Sequence, residues 1–468
     1  GLLPGAGGTQ LLPRLVGVGT ALAMMLDGRP RRVGDPSLSG LIDEIAENDE
    51  LLDCALRFAS DIAGAPPRRS SELPVPTVDT ALFDEQRKAI AVRTRGLISP
   101  PKIIDCVQAA TTLSLQEGMR LERRTFLECL DSSQSAGLRH AFFAERAAAK
   151  VPGLDRDTAV RAIGEIAVVG AGTMGAGIAY SCLTAGYSVK LLDREPAGIE
   201  RGTATVGKLV QGGIERRKLS KAQAERLLAK FEHGTDFNAL RDADLVIEAV
   251  FENMAIKQQV FRDLGKVCKP GAMLASNTST LDIDAIAAAS GRPCDVLGLH
   301  FFSPAHLMRL LEIVRGRDTA DDVLATSLAL AKSLGKTGVV VGNCHDFVGN
   351  RMLYSYGREN QLLLLEGAAP EYIDRALCDW GMAMGPNAVG DLAGLDVGYK
   401  ARQERSDLPD DPRYYRIADM LAEQGRYGQK TGRGIYRYED GSRKPIPDPK
   451  VQLMINAEAA RLGVLQRE

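Results

Sequence analysis

The sequence feature that most constrains the fold is a strand, turn, helix and strand between residues 166 and 193. The apolar run Ile166 to Val169 predicts a buried strand, and Thr173 to Ala185 has the pattern of a helix. Val189 to Leu192 predicts a second strand. The turn between the first strand and the helix carries three glycines in G-x-G-x-x-G spacing, Gly170, Gly172 and Gly175. This pattern is typical of a doubly wound α/β sheet of the Rossmann type.

The three glycines have separate physical roles at a dinucleotide site. Gly170 permits the tight turn, Gly172 lets the backbone approach a pyrophosphate, and Gly175 lets helix and strand pack closely. Free backbone N–H groups at the helix start, including those of Thr173 and Met174, then face the anion. We therefore predict a bound dinucleotide, and the alternative is a doubly wound sheet that binds none.

The two residues after the second strand bear on which dinucleotide is bound. Asp193 lies 23 residues after Gly170, in range to accept a hydrogen bond from a ribose 2′-hydroxyl, which favours NAD. The adjacent Arg194 leaves NADP open, although an arginine there can equally lie against the adenine ring.

Composition excludes several classes of function. The 468 residues suffice for about three domains. A net charge of -2, without any Lys/Arg block, argues against nucleic acid as a partner. No apolar run approaches the roughly 20 residues of a membrane span. The eight cysteines form no C-x-x-C pair and have no His at zinc-binding spacing, so we expect reduced thiols in an intracellular protein and no metal site.

Changes in composition divide the chain into five predicted segments. They are helices without a strand-rich core at 1–63, a Pro- and Ser-rich linker with a helical connector at 64–160, the sheet domain at 161–343, an all-helical domain at 344–440, and a linker or tail at 441–468. Apolar spacing predicts helices at Leu41 to Ala46 and at Ala388 to Gln403. The polar stretch Glu195 to Lys230 is interpreted as a solvated helical excursion rather than a ligand contact.

The sheet domain continues after that excursion. Apolar runs predict strands at Ala243–Val250, Met273–Ser276, Val296–Leu299, Leu310–Val314 and Gly338–Val341, with helices between several of them. This alternation predicts a mainly parallel sheet.

One histidine is placed where chemistry is expected. Removing a hydride from an alcohol requires a base for the hydroxyl proton, and His suits that role near neutral pH. His300 ends a predicted strand, where doubly wound sheets bind ligands, and Glu312 lies on the next strand. A carboxylate can orient an imidazole and stabilise its protonated form. His140 and His233 are interpreted as surface groups.

The first 60 residues resemble the enoyl-CoA hydratase (crotonase) family through the motif PGAGGTQLLPRLVG. In that family both catalytic glutamates precede this turn, and this sequence starts after their place. The resemblance therefore implies only the C-terminal helices of a hydratase, without hydratase activity, in a chain expected to be cut at both ends.

Residues 163 to 438 resemble the L-3-hydroxyacyl-CoA dehydrogenases. The motifs are VVGAGTMGAGIA, VIEAVFEN, ASNTSTL, HFFSPAHLMRLLE, DFVGNRM, MGP, DLAGLDVG and GQKTGRGIY, in the family's order. Together with the hydratase motif ahead of them, they resemble the centre of a multifunctional fatty-acid oxidation enzyme. This resemblance implies NAD as cofactor, an acyl-CoA substrate between the sheet and helical domains, and contacts with further domains or a second copy.

The resemblance also implies roles for individual residues. His300 matches the catalytic base and Glu312 its partner, while Ser279 and Asn350 match the hydroxyl and the amide that contact the substrate oxygen. Without the resemblance, Ser279 could bond its own backbone in a loop and Asn350 could cap a helix.

Three further residues match positions at the cofactor. Glu252 and Lys257 match residues that line the cofactor pocket, and Asn277 matches a residue near nicotinamide and substrate.

The sequence departs from the family at two places. Family members commonly have Gly before Phe-Val in the DFVGNRM motif, where this chain has His345 and Asp346. The new carboxylate is expected to affect the helix start or the charge of the site. Asn387 follows Met-Gly-Pro where Phe is usual, and this change is expected to loosen packing.

The resemblance predicts an NAD-dependent L-3-hydroxyacyl-CoA dehydrogenase, peroxisomal in a eukaryote and cytoplasmic in a bacterium. Two alternatives stay open: a dehydrogenase of another 3-hydroxy acid, and a nonenzymatic scaffold that binds acyl-CoA or neighbouring domains.

Overall fold

The computed structural model describes residues 1–47, 50–94, 96–403, 405 and 408–467. These residues form two compact units, one of residues 1–142 with 360–468 and one of residues 143–359. Glu468, the end of the predicted tail, lies outside the described residues. Among the described residues, no helix has the length and apolar content needed to cross a membrane.

The N-terminal segment is helical, as predicted. Its helices are α1 (Gly8–Val16), α2 (Val18–Asp27), α3 (Leu51–Ile62), α4 (Ala81–Arg93), α5 (Ser99–Thr112), α6 (Leu115–Leu130) and α7 (Ser133–Ala148). Leu22 of α2, Phe83 of α4 and Ile104 of α5 are fully buried in one cluster. Residues on both sides of the predicted boundary at residue 64 thus share a core, and that boundary stays a prediction.

The helix predicted at Leu41 to Ala46 is wrong, because these residues form turns and irregular backbone. Leu41 and Ile45 are exposed. A helix of six residues is unstable in water unless its apolar face is packed, and these side chains lack that packing.

The second unit is built on an eight-stranded sheet. Its strands are β1 (Glu165–Val169), β2 (Ser188–Leu192), β3 (Phe231–Gly234), β4 (Leu245–Glu248), β5 (Met273–Ser276), β6 (Val296–Phe301), β7 (Leu310–Arg315) and β8 (Thr337–Gly342). Their order is β3-β2-β1-β4-β5-β6-β7-β8. All neighbours are parallel except β6 and β7. The mainly parallel sheet is therefore confirmed.

Helices alternate with these strands. They are α8 (Thr173–Thr184), α9 (Pro196–Glu215), α10 (Lys221–Leu228), α11 (Met254–Val267), α12 (Ile283–Ser290) and α13 (Asp321–Ser333). Ile166 and Val168 of β1 belong to the apolar cluster that contains α8, whereas Ala167 and Val169 belong to the cluster that contains α11. Successive strand residues point to opposite faces, so both faces of the sheet are covered.

The C-terminal segment is helical, as predicted. Its helices are α14 (Gly349–Leu365), α15 (Pro370–Trp380), α16 (Pro386–Ala393), α17 (Leu395–Gln403), α18 (Arg416–Glu423) and α19 (Pro449–Arg461). The single helix predicted at Ala388 to Gln403 is wrong, because Gly394 separates α16 from α17.

Candidate active site

His300 and Glu312 face each other across the antiparallel pair of β6 and β7. The two residues are direct partners in the strand register. His300 Nδ1 lies 2.7 Å from Glu312 Oε2, and both side chains are buried. A carboxylate only accepts hydrogen bonds, so Nδ1 carries the proton and Nε2 is left as the basic nitrogen.

The second oxygen of Glu312 accepts from the start of α14. The backbone N–H groups of Val348 and Gly349 donate to Oε1 at 3.1 and 2.8 Å. Burial raises the pKa of Glu312, but the hydrogen bonds from His300 and these two amides outweigh it and hold the pKa below its usual value. Glu312 is therefore a carboxylate at neutral pH.

Aromatic rings enclose the imidazole of His300. The ring centroids of Phe302 and Phe347 lie 4.3 and 5.7 Å from that of His300. The backbone N–H of the adjacent Phe301 donates to Asn277 Oδ1 at 2.9 Å. Asn277 thereby links the loop after β5 to the end of β6 beside His300.

Ser279 and Asn350 are both partly exposed. The backbone N–H of Ser279 donates to Glu252, while the hydroxyl that caps this turn is that of Thr278, which accepts from the N–H groups of Thr280 and Leu281. Asn350 is the second residue of α14 and lies inside the helix, directly after the amide that contacts Glu312. The predicted roles of Ser279 and Asn350, and the alternatives to them, stay predictions.

The glycine turn between β1 and α8 fits a dinucleotide. Gly170 has a φ of 103°, and a Cβ at Gly175 would lie 1.8 Å from the carbonyl oxygen of Gly170. A Cβ at Gly172 would meet nothing within 4 Å, so this glycine faces open space. No side chain caps the start of α8 at Gly172. The N–H groups at Thr173 and Met174 therefore have the character needed for binding a pyrophosphate.

Asp193 lies beside this turn. Its Oδ2 accepts from the backbone N–H of Ala171 at 2.7 Å, and its Oδ1 accepts from that of Glu195 at 3.0 Å. A carboxylate has about four acceptor positions, so Asp193 can still accept from a ribose hydroxyl. The exposed Arg194 lies 3.4 Å from Asp263, with its guanidinium 5.9 Å from the centroid of the Phe237 ring.

Glu252 and Lys257 form an ion pair at 3.4 Å. Glu252 also contacts the Ser279 turn, which we define as residues 277–280. Glu252 Oε1 accepts from Thr278 Oγ1 at 2.6 Å and from the N–H of Ser279 at 2.8 Å. Burial raises the pKa of Glu252, but the charge of Lys257 and these hydrogen bonds lower it overall. Lys257 is 1% exposed and lies 2.7 Å from Glu248. The predicted cofactor contacts of Glu252 and Lys257 stay predictions.

Two parts of this arrangement were missed from the sequence. Glu248 ends β4 with 0% exposure, and a carboxylate that closes the apolar run Leu245–Glu248 was the available signal. The backbone amides of Val348 and Gly349 could not be predicted as donors from the sequence, because every residue except proline has an N–H group.

His345 and Asp346 depart from the family without displacing the His300 pair. Asp346 has a φ of 62°, which lies in the left-handed region. Glycine adopts this region without steric cost, and Asp adopts it more often than most other residues. Its carboxylate is buried and lies 2.7 Å from His345 Nδ1. The expected effect of this carboxylate on the site's charge stays a prediction.

In the described part of the chain, no three side chains of His, Cys, Asp or Glu are grouped as they would be to hold a metal ion. All eight cysteines are free thiols.

Three family models match the chain. The 3-hydroxyacyl-CoA dehydrogenase NAD binding domain matches residues 165–344, and the 3-hydroxyacyl-CoA dehydrogenase C-terminal domain matches residues 347–438. The enoyl-CoA hydratase/isomerase model matches residues 1–100 and so extends past residue 63. These matches confirm the predicted NAD-binding domain and the predicted class of oxidoreductase.

Two solved structures are similar to more than half of the chain. The (S)-3-hydroxybutyryl-CoA dehydrogenase PaaH1 from Ralstonia eutropha is 35% identical with a TM-score of 0.55, over 60% of this chain and 100% of that one. The dehydrogenase part of multifunctional enzyme 1 from C. elegans is 29% identical with a TM-score of 0.53, over 70% of this chain and 76% of that one.

Relatives of known name match nearly the whole chain. The peroxisomal bifunctional enzyme of Danio rerio is 41% identical over 489 residues, which cover 100% of this chain and 67% of the relative. The glyoxysomal fatty acid β-oxidation multifunctional protein MFP-a of Brassica napus is 36% identical, with 97% and 64% covered. This chain thus spans about two thirds of their length. It belongs to the family of multifunctional enoyl-CoA hydratase/3-hydroxyacyl-CoA dehydrogenase enzymes of fatty-acid β-oxidation.

Proposed function

We propose that this chain oxidises L-3-hydroxyacyl-CoA to 3-ketoacyl-CoA, with NAD as the hydride acceptor. The observation that carries the proposal is the buried 2.7 Å contact between His300 Nδ1 and Glu312 Oε2. It leaves Nε2 as a base at the end of β6, in the same unit as the glycine turn. A dehydrogenase of this class needs such a base for the proton of the C3 hydroxyl.

Each residue of the site has a separate role in this reaction. His300 Nε2 takes the hydroxyl proton as the C3–H bond breaks, and Glu312 stabilises the resulting imidazolium. Because the pKa of Glu312 is held below its usual value, this carboxylate is ionised when His300 becomes charged. Ser279 and Asn350 donate to the C3 oxygen during its change from hydroxyl to carbonyl. Bound NAD supplies the nicotinamide that accepts the hydride from C3.

The dinucleotide is held by the turn between β1 and α8. We assign the pyrophosphate to the N–H groups at Gly172, Thr173 and Met174, and the ribose to Asp193. Comparing the KM for NAD and for NADP tests the assignment, since a lower KM for NADP would contradict it. We assign Arg194 to a contact with the adenine ring.

The experiment follows NADH absorbance with L-3-hydroxybutyryl-CoA as substrate. The wild type should form NADH, and His300→Ala and Glu312→Gln should lower kcat on the order of 10²–10⁴-fold, as for loss of a general base. His140→Ala is the matched control, because His140 is exposed on α7. Undiminished turnover in both site variants would contradict the catalytic assignment.

Other features stay predictions. Self-association is checked by light scattering, where a monomer at all concentrations would contradict it. The location in a peroxisome or in cytoplasm is checked by imaging the protein in its own cell.

A further inference from the structure

Lys336 donates to two carbonyl groups of the loop between β6 and β7. We define the β6–β7 loop as residues 302–309. Lys336 Nζ lies 2.6 Å from the carbonyl oxygen of Ala305 and 2.7 Å from that of Met308. An ammonium donates through three N–H groups, so one side chain can hold two points of the loop at once. These hydrogen bonds close the loop around Lys336.

The same ammonium contacts the end of the strand that carries His300. Lys336 Nζ lies 5.4 Å from the centroid of the Phe301 ring, within the distance of a cation–π contact. Phe301 directly follows His300 as the last residue of β6, and its side chain is buried. Its backbone N–H also donates to Asn277 Oδ1 at 2.9 Å. The residue next to the base is thus held through both its ring and its backbone.

Lys336 is itself fixed between two regular elements. It lies between α13, which ends at Ser333, and β8, which begins at Thr337. Its backbone N–H donates to the carbonyl oxygen of Ala331 at 2.8 Å, and the N–H of Thr337 donates to the carbonyl oxygen of Arg309 at 2.8 Å. A side chain that extends from a fixed backbone can position the groups that it binds, so Lys336 anchors the loop.

The β6–β7 loop also packs against α8, the helix that follows the glycine turn. A Cβ at Gly177 of α8 would lie 3.2 Å from the Cβ of Ala305, closer than the optimal separation of two carbon atoms, so a side chain there would displace the loop. Ala305 is buried in an apolar cluster that includes α8. The rings of Tyr180 and His306 meet edge to face, with centroids 5.8 Å apart. The loop thus joins the strand of the base to the helix that we assign to the pyrophosphate.

We propose that Lys336 is a positioning residue that holds the β6–β7 loop against α8 and so fixes His300 relative to the dinucleotide during oxidation of the C3 hydroxyl. It acts through the loop and is not a catalytic residue. The inference rests on the proposed function, because His300 is taken as the base. The base, the C3 hydroxyl and the nicotinamide have to be aligned for hydride transfer, and a misplacement of about 1 Å can cost 10²-fold in rate.

The test compares Lys336→Met with Lys332→Met in the NADH-absorbance assay. Methionine keeps most of the aliphatic side chain but cannot donate, so Lys336→Met should lower kcat by about tenfold. Lys332→Met is the matched control, because Lys332 is exposed in the last turn of α13, and its kcat should stay within about twofold of the wild type. Lys336→Arg should recover most of the lost kcat, since guanidinium N–H groups can donate to the same two carbonyl groups.

Two further measurements separate positioning from folding and from cofactor binding. In the His300→Ala background, Lys336→Met should alter kcat by less than about threefold, because the base that it positions is absent, whereas a loss of folded enzyme would lower kcat equally in both backgrounds. The Kd for NADH, measured by fluorescence without substrate, should change by less than about threefold. If Lys336→Met does not fold, Gly177→Ala displaces the loop from the side of α8 and should lower kcat in the same direction.

The outcomes distinguish this inference from the proposed function. The positioning role is overturned, and the proposed function stands, if Lys336→Met, or Gly177→Ala in its place, keeps kcat within about twofold of the wild type. The same conclusion follows if the effects of Lys336→Met and His300→Ala multiply, or if the Kd for NADH rises as much as kcat falls. If the wild type forms no NADH from the 3-hydroxyacyl-CoA, the proposed function fails, and the positioning role fails with it.

Discussion

At the residue scale, the Glu312 carboxylate accepts hydrogen bonds both from the His300 side chain and from backbone N–H groups. One oxygen accepts from His300, and the other accepts from Val348 and Gly349. The pairing with His300 was predictable, because both residues lie on strands that a turn joins. The two amides were not, since the chain has to return from β8 to the site before they reach Glu312.

Asn387 is a second residue whose role depends on its surroundings. It stands where Phe is usual in the family, and its expected loosening of the packing is wrong: the side chain is 0% exposed. Its amide donates to Asp374 at 3.0 Å and to the carbonyl oxygen of Pro370 at 3.2 Å, and it accepts from Asn360 at 3.0 Å. A hydrogen-bonded polar cluster, in which the buried Asn360 Oδ1 has no partner, thus occupies the position of an aromatic ring.

Restoring the family residue should therefore destabilise this protein. Asn387→Phe removes the partner of Asp374 and Asn360 and overfills the site, and each of these effects costs about 1–3 kcal/mol. Urea denaturation should show the lower free energy of unfolding. Val389→Phe is the matched control, because Val389 lies on the same helix α16 and is 38% exposed. Equal or greater stability of Asn387→Phe would contradict this account.

At the element scale, α18 and α19 are joined through one carboxylate. Glu458 of α19 lies 2.6 Å from Arg416 Nε of α18 and 2.7 Å from Arg461 Nη2 of its own helix. The hydrogen bond from Arg461 lowers the pKa of Glu458, burial opposes it, and Arg416 lowers it again, so the pKa falls from 4.5 to about 2. This carboxylate is 7% exposed.

A lowered carboxyl pKa fixes the sign of a pH effect on stability. The folded state holds Glu458 ionised, so its contribution is complete above pH 4.5 and is lost as the pH falls towards 2. Glu458→Gln should be less stable than the wild type at pH 6, and the difference in unfolding free energy should shrink on acidification. Glu439→Gln, at an exposed site, is the control. A difference that stays constant from pH 6 to pH 3 would contradict the assignment.

One strand, β3, was missed from the sequence for a physical reason. β3 was not predicted, because Phe231–Gly234 is short and polar and pairs only with β2 at the sheet edge. Such a strand forms because it pairs with a neighbouring strand, and the β-propensity of its own residues contributes little. By contrast, β1 and α8 were predicted within one residue, because buried strands and glycine turns leave strong patterns.

At the scale of the whole molecule, the sequence was sufficient to predict the family and the pairing of His300 with Glu312. The family motifs cover both dehydrogenase domains, which explains why His300 and Glu312 were found. The contacts of Glu248 with Lys257 and with Ser276 were not predicted, since these residues come together only when β4, α11 and β5 are packed. Contacts of this kind depend on tertiary structure and leave no periodic signal.

The central claim is that His300 removes the hydroxyl proton while hydride leaves C3 for NAD. The most direct measurement uses L-3-hydroxybutyryl-CoA deuterated at C3, with mass spectrometry of the reduced cofactor. The account predicts that the wild type transfers the deuterium to NAD, and that His300→Ala does so slower on the order of 10²–10⁴-fold. Reduced cofactor without deuterium, or an equal rate in His300→Ala, would contradict it.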